Sequence, residues 1–163
     1  MNRSGCIKEL MGQIGERDIV VASTGFISRE VFKYDRDLNF YMMGSMGNAL
    51  AIGIGLAMNV KERVLVINGD GSVLMSLGTM ITAKNLALKN LFHFILDNGC
   101  HESTGRQPTV SEFVDFQYLA PNTFHERIDK DDSTPPRITL TPKQITERFK
   151  NAVLCLKEQS KTS

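Results

Sequence analysis

Cysteine is scarce. The chain holds three, Cys6, Cys100 and Cys155, an odd number, far apart and without metal-ligand spacing. That pattern argues against a disulfide framework and a zinc site, and fits a reducing compartment such as the cytoplasm. Neither sign of charge dominates: 19 Lys and Arg face 18 Asp and Glu, for a net charge of +1. The positive residues form no stripe that could track a phosphate backbone, so nucleic acid is not an expected partner. Long hydrophobic runs are missing too. The most apolar stretch, residues 49–58, is far too short to cross a bilayer, and residues 1–10 hold no apolar leader core, so no membrane association is expected. Internal repeats and low-complexity segments are also lacking. What remains is 163 residues with 42% apolar content, enough to bury one core, and residues 1–163 are expected to form a single domain.

Hydrophobic patterning gives the order of elements. Ile7, Leu10, Met11 and Ile14 recur at helical spacing, and Ile19-Val20-Val21 then reads as a buried strand. A short helix over residues 27–34 and a strand over 40–42 follow. Residues 48–59 carry Ala49, Ala51, Gly53, Gly55 and Ala57, a small-residue helix able to pack closely. Val64-Leu65-Val66-Ile67 is a continuous aliphatic run of the kind that lies inside a parallel sheet covered on both faces. Residues 72–89 read as helix, 91–96 as strand and 111–120 as helix. The Pro- and Asp-containing residues 121–140 read as irregular connector. Thr141-Pro142 then supplies an N-cap and first-turn proline for a final helix striped by Ile145, Phe149, Val153 and Leu156, fraying from residue 159. Alternating strand and helix predicts an α/β fold, a doubly wound parallel sheet flanked by helices, with its functional edge at the strands' carboxyl ends.

One constellation carries chemistry. Gly69-Asp70-Gly71-Ser72 ends one strand and Asp97-Asn98-Gly99 ends another, with residues 72–97 separating Gly71 from Asn98. A right-handed crossover returns the chain to the same sheet edge, which predicts Asp70 and Asn98 close together at strand ends. Magnesium takes hard oxygen donors and commonly binds one or two carboxylates together with phosphates. Gly71 permits close backbone approach, and the helix opening at Ser72 offers free N–H groups to a diphosphate. Gly69-Asp70-Gly71 alone reads as an ordinary tight turn; Asn98 is what raises it. A Rossmann site is the rival, but Leu74 stands where its third glycine belongs.

Gly-Asp-Gly followed at this interval by Asn resembles the cofactor motif of thiamine diphosphate enzymes. The resemblance implies thiamine diphosphate and Mg2+ as cofactors, with Asp70, Asn98 and the main-chain carbonyl of Cys100 on the metal. It implies that Gly44, Ser45 and Met46 form the loop that receives the aminopyrimidine and bends the cofactor, and that Ser23, Thr24 and Gly25 form a second loop reaching the diphosphate, beside Gly69, Gly71 and Ser72. Three stretches narrow it: Ser23-Thr24-Gly25-Phe26-Ile27-Ser28-Arg29-Glu30, Tyr41-Met42-Met43-Gly44-Ser45-Met46-Gly47, and His101-Glu102-Ser103-Thr104-Gly105-Arg106-Gln107-Pro108-Thr109. Together these resemble the phosphonopyruvate and sulfopyruvate decarboxylases. The implied reaction is loss of carbon dioxide from a three-carbon 2-oxo acid. His101-Glu102-Ser103-Thr104 leans towards phosphonopyruvate, giving phosphonoacetaldehyde, with sulfopyruvate to sulfoacetaldehyde as the alternative. Ser103, Thr104 and Arg106 are the candidates for the substrate's second anion.

His101 and Glu102 are the candidate catalytic pair. His101 can donate a proton to the carbon that loses carbon dioxide, or simply face solvent, and Glu102 can orient His101 or sit solvated in its loop. Met46 can equally be core filler, and Arg29-Glu30 reads as a local ion pair. His93 and His125 read as structural. Cys100 has no neighbouring base to make it a nucleophile. No segment resembles the pyrimidine-binding domain that carries the family's activating glutamate. The resemblance therefore implies an oligomer in which a pyrimidine-binding domain or subunit completes the site. A shortened, non-catalytic relative that binds cofactor or partner is the other expectation. The resemblance also implies a further strand, helix and strand after residue 120, for which residues 124–137 offer too little length.

Overall fold

The computed structural model describes residues 1–130 and 133–159. Five parallel strands form its sheet in the order β2-β1-β3-β4-β7: β1 (Ile19–Ala22), β2 (Asn39–Tyr41), β3 (Val64–Gly69), β4 (Leu91–Asp97) and β7 (Thr123–Arg127). A two-residue antiparallel pair, β5 (Cys100–His101) and β6 (Gln107–Pro108), lies beyond β4. The helices are α1 (Arg3–Gly12), α2 (Phe26–Phe32), α3 (Ala49–Ala57), α4 (Asp70–Leu74), α5 (Gly78–Leu86), α6 (Phe116–Leu119) and α7 (Pro142–Gln159).

Strand side chains alternate between two cores, as a sheet with a two-residue period must. Ile19, Val21, Val64 and Val66 join Met80, Ala83 and Phe149 on one face; Val20, Ala22, Leu65 and Ile67 join Ile7, Met11 and Val31 on the other. Helices thus cover both faces, and the doubly wound fold read from the patterning is the one observed. Packing against β3 explains the small-residue face of α3. A Cβ on Gly53 would lie 2.2 Å from Val66 Cγ2, so no larger residue fits without displacing the strand. Helix α7 opens on a capping box in which Thr141 N–H donates to Gln144 Oε1 at 2.9 Å and Gln144 N–H to Thr141 Oγ1 at 3.3 Å. Among the described residues no helix is long and apolar enough to cross a membrane.

Three expectations needed correction. The helix expected over 72–89 starts at Asp70 and is interrupted between Leu74 and Gly78, because α4 turns to bring Ser72 and Ser76 to the loop after β2. The helix expected over 111–120 is a 3-10 turn at Ser111–Phe113 followed by the single turn of α6. The expected connector contains β7, whose Phe124 ring stacks on Phe94 of β4 at a centroid distance of 4.9 Å. Its period-2 signal is short and polar, which hid it. Fraying was expected from Gln159, but α7 includes that residue; the rest of the expected segment, 160–163, lies outside the described residues.

Candidate functional site

The chain leaves β1 towards β2 on one side and reaches β3 on the other, so the sheet's switch point lies between β1 and β3. Ligands of open α/β sheets bind outside the carboxyl ends at such a point. A cleft opens there. Ser23 and Thr24 from the end of β1, Met46 from the loop after β2, Gly69, Asp70, Gly71 and Ser72 from the β3–α4 junction, and Asn98, Cys100, His101, Glu102, Ser103 and Thr104 from beyond β4 all line it. Register explains the convergence of Asp70 and Asn98: Gly69 pairs with Leu96, so each residue stands just past the same end of neighbouring parallel strands.

Asp70 is 2% exposed; the Thr109 hydroxyl donates to its Oδ2, and the backbone N–H groups of Gly71 and of Asp70 itself also support the carboxylate. Burial raises the Asp70 carboxyl above the usual carboxylate range, the Thr109 bond opposes this, and the nearby Asp97 charge adds to the rise. Asp97 is itself satisfied: Gly99 N–H and Ser111 Oγ each donate to Oδ1 at 2.9 Å, and His125 Nε2 reaches Oδ2 at 2.8 Å. Arg127 Nε stands 3.3 Å from the same oxygen. Asp97 therefore holds the loop while Asp70 is the carboxylate presented to the cleft. Asn98 Oδ1 accepts from Cys100 N–H at 3.1 Å, a turn that leaves this oxygen its second lone pair. Burial raises the Cys100 thiol, so the side chain of that residue stays neutral.

Ser72 Oγ is a hub. It accepts from Ser23 Oγ at 2.9 Å and from Gly47 N–H at 3.1 Å, and donates to Asn68 Oδ1 at 3.1 Å. Asn68 Nδ2 then lies 2.9 Å from Nε2 of His93. Loops following β1 and β2 are thereby tied to α4 and the sheet interior, and Ser76 Oγ donates to Gly47 O as a second tie. Gly47 has φ 95° and Ser45 φ 53°, left-handed backbone that makes this loop tight enough to project Met46. Met46 is 37% exposed, so it is not core filler.

Burial pushes His93 down to about 3 from 6.5. The folded chain keeps this ring neutral while the unfolded chain protonates it below 6.5, so stability falls as pH drops from 6.5 towards 3. The slope is at most about 1.4 kcal/mol per pH unit. In His93→Gln, which keeps a partner for Asn68, denaturant titrations between pH 6.5 and 5 are expected to lose that slope; an unchanged slope would show that His93 does not titrate in the way its burial demands.

Gly71 has a second reason to be glycine besides close approach. A Cβ there would lie 2.5 Å from His101 Cε1 and 2.6 Å from Nδ1, so the imidazole occupies that space against the start of α4. Glu102, expected either to orient His101 or to be solvated, has a side chain only 8% exposed that pairs with Arg3 Nη1. Arg3 reaches it from α1 and also donates to Ser133 O at 2.8 Å. The expected Arg29–Glu30 pair does not form; Glu30 lies 2.6 Å from Lys33 Nζ and 3.8 Å from Arg3 Nη2. Four expected residues fall outside this cleft. Gly44 and Ser45 line an adjacent hollow with Met43 and Pro142, and Gly25 lines another with Arg29. Arg106 is exposed at φ 60°, its N–H donating to His101 O at 3.0 Å. Sequence reading missed Arg3, Asn68, Asp97 and Thr109 as site residues. Thr109 and Asp97 lay inside the motif stretches, but Arg3 and Asn68 had no local signal.

A family model for thiamine pyrophosphate enzymes, C-terminal TPP binding domain, matches residues 22–152. The chain belongs to this family. Among thiamine pyrophosphate enzymes it is 39% identical over 152 residues to the sulfopyruvate decarboxylase subunit beta of Methanocaldococcus jannaschii, covering 93% of this chain and 77% of that one. To the same-named subunit of Methanococcus maripaludis it is 35% identical, covering 94% and 98%. To the phosphonopyruvate decarboxylase of Streptomyces viridochromogenes it is 44% identical over 119 residues, covering 72% of this chain but 30% of that one.

The residues present fit the family's cofactor. Among the described residues no three or more His, Cys, Asp or Glu gather into a metal-binding cluster; magnesium commonly takes only one or two carboxylates together with phosphate oxygens. A buried carboxylate without a cationic partner, beside an amide oxygen and a glycine-lined helix start, is the donor set such an ion needs.

Proposed function

We propose that this chain is the diphosphate- and magnesium-holding part of a thiamine diphosphate-dependent decarboxylase acting on a three-carbon 2-oxo acid that ends in a second anion. Sulfopyruvate is the preferred substrate and phosphonopyruvate the second reading. The preference rests on coverage: the sulfopyruvate relatives align with nearly all of this chain and most of their own length, whereas the phosphonopyruvate relative aligns with 30% of its length. The observation that carries the proposal is Asp70, buried at the switch point and beside Asn98 in one cleft.

Bound thiamine diphosphate supplies a nucleophilic carbon and an electron sink for a 2-oxo acid losing carbon dioxide. This chain's residues do the holding. Asp70, Asn98 and the Cys100 carbonyl would ligate Mg2+, with Thr109 fixing the Asp70 carboxylate; Ser23, Thr24, Gly69, Gly71 and Ser72 would meet the diphosphate. Gly44 and Met46 would position the pyrimidine, with Gly25 and Ser45 shaping their loops. His101, packed against Gly71, would hand a proton to the product carbon, with Glu102 holding the loop that carries it. A pyrimidine-binding domain or subunit would supply the activating glutamate in an oligomer.

Purified chain, combined with a pyrimidine-domain partner, Mg2+ and thiamine diphosphate, is expected to release carbon dioxide from sulfopyruvate and more slowly from phosphonopyruvate. Silence with both substrates would favour a cofactor-binding, non-catalytic relative.

A further inference from the structure

On the other side of Thr24 from the cofactor cleft lies a second hollow, lined by Thr24, Gly25, Ser28, Arg29, Met43 and Arg137 among others. Thr24 is common to both. Among the described residues no carboxylate lines this hollow. Arg29 has no ion-pair partner among the described residues: its guanidinium stands 5.4 Å from the Phe26 ring centroid, and its neighbour Glu30 is committed to Lys33 and Arg3. Arg137, on the segment leading into α7, likewise has no carboxylate partner among the described residues. Two arginines therefore line one hollow beside the cofactor cleft, neither with a carboxylate partner among the described residues. Arg106, the cation expected for the substrate's tail, lines neither hollow.

We infer that Arg29 and Arg137 form a subsite for a tetrahedral oxyanion, the sulfonate or phosphonate end of the substrate, and so set the substrate class. This rests on the decarboxylase reading. A guanidinium presents its donors as a planar fork that matches two oxygens of such a group, and it stays charged at any working pH. The shared Thr24 places the subsite next to the cleft, so one short molecule can present its 2-oxo end to the cofactor and its tail to the arginines. A monocarboxylic 2-oxo acid would leave both guanidiniums unanswered, and that is the basis of discrimination.

The test titrates the 15N-labelled full chain with sulfoacetate and phosphonoacetate, using acetate as the control. Saturable amide shifts are expected at Thr24, Gly25, Ser28 and Arg29, with acetate weaker by about tenfold. Arg29→Met and Arg137→Met should each weaken binding about tenfold with the rest of the spectrum unmoved. Arg29→Lys should fall between, keeping the charge but losing the fork. The shifts should persist with Mg2+ and thiamine diphosphate at saturation; their loss would assign the hollow to the diphosphate instead and overturn the subsite. So would shifts centred on Ser103, Thr104 and Arg106, full affinity in the arginine variants, or no saturable shift. In the reconstituted decarboxylase, Arg29→Met should raise KM with little change in kcat. An unchanged KM overturns the subsite and leaves the reaction standing, whereas Arg29-dependent anion binding without carbon dioxide release overturns the reaction and leaves the subsite standing.

Discussion

Asp70→Ala is expected to abolish magnesium-dependent binding of thiamine diphosphate by this chain while leaving the unliganded fold at least as stable as before. Two physical facts set the two halves of that expectation. A carboxylate that ligates the ion directly contributes more than the outer partners of a metal site, whose loss costs about 10–100-fold in affinity. Retention of cofactor should therefore fall by more than about 100-fold. In the unliganded chain, however, Asp70 is a 2% exposed carboxyl whose burial and Asp97 neighbour outweigh its bonds to Thr109 and to the Gly71 and Asp70 N–H groups, an arrangement that costs folding free energy at neutral pH. Because burial raises its folded pKa, stability is lost as pH rises through that value and is regained on removing the group. The measurement is thermal unfolding of wild type and variant with and without Mg2+ and cofactor. Wild type should gain stability with ligand and the variant should not; a ligand-induced gain of equal size in the variant would remove Asp70 from the metal.

Arg3→Met should carry the largest loss of stability of any single change near the cleft. Arg3 is almost fully buried, pairs with Glu102 and lies 3.8 Å from Glu30, and both carboxylates are buried with it. It joins α1, α2, the loop after β5 and Ser133 in one contact set. Methionine fills a similar volume but leaves the Glu102 carboxylate inside without this charge, a situation that costs about 3–5 kcal/mol. Denaturant unfolding should show a midpoint shift without a change in slope. A loss below about 1 kcal/mol would mean that Glu102 swings to solvent, the range found for exposed pairs. Adding Glu102→Gln to Arg3→Met should recover part of the loss, since it removes a buried carboxylate that has lost its Arg3 partner; purely additive effects would argue against direct coupling.

How much of this was legible in the chain depends on the range over which each signal acts. Aliphatic runs at Ile19-Val20-Val21 and Val64-Leu65-Val66-Ile67 announce buried parallel strands because every one of their side chains meets a covered face. The Asp70–Asn98 interval is legible because a single crossover converts sequence separation into adjacency. By contrast, β7 is short and mostly exposed, so residues 123–127 lack the apolar pattern that marks a strand, and only pairing with β4 makes them one. The break between α4 and α5 carries no proline; it arises because Ser72 and Ser76 are drawn to Gly47.

The amino-acid sequence by itself determined the layer architecture, the sheet edge of the candidate site, the Asp70–Asn98 motif and the family resemblance, because these rest on periodicity and on spacing within one strand-helix-strand unit. Tertiary structure alone decided which charges meet. Arg3 reaches Glu102 across 99 positions, Thr109 reaches Asp70 across 39, and Arg29 and Arg137 share one hollow while Arg106 turns elsewhere. Local propensities contain no information about such partners, since they are chosen by the packing of elements whose ends the chain brings together only when the whole sheet has formed.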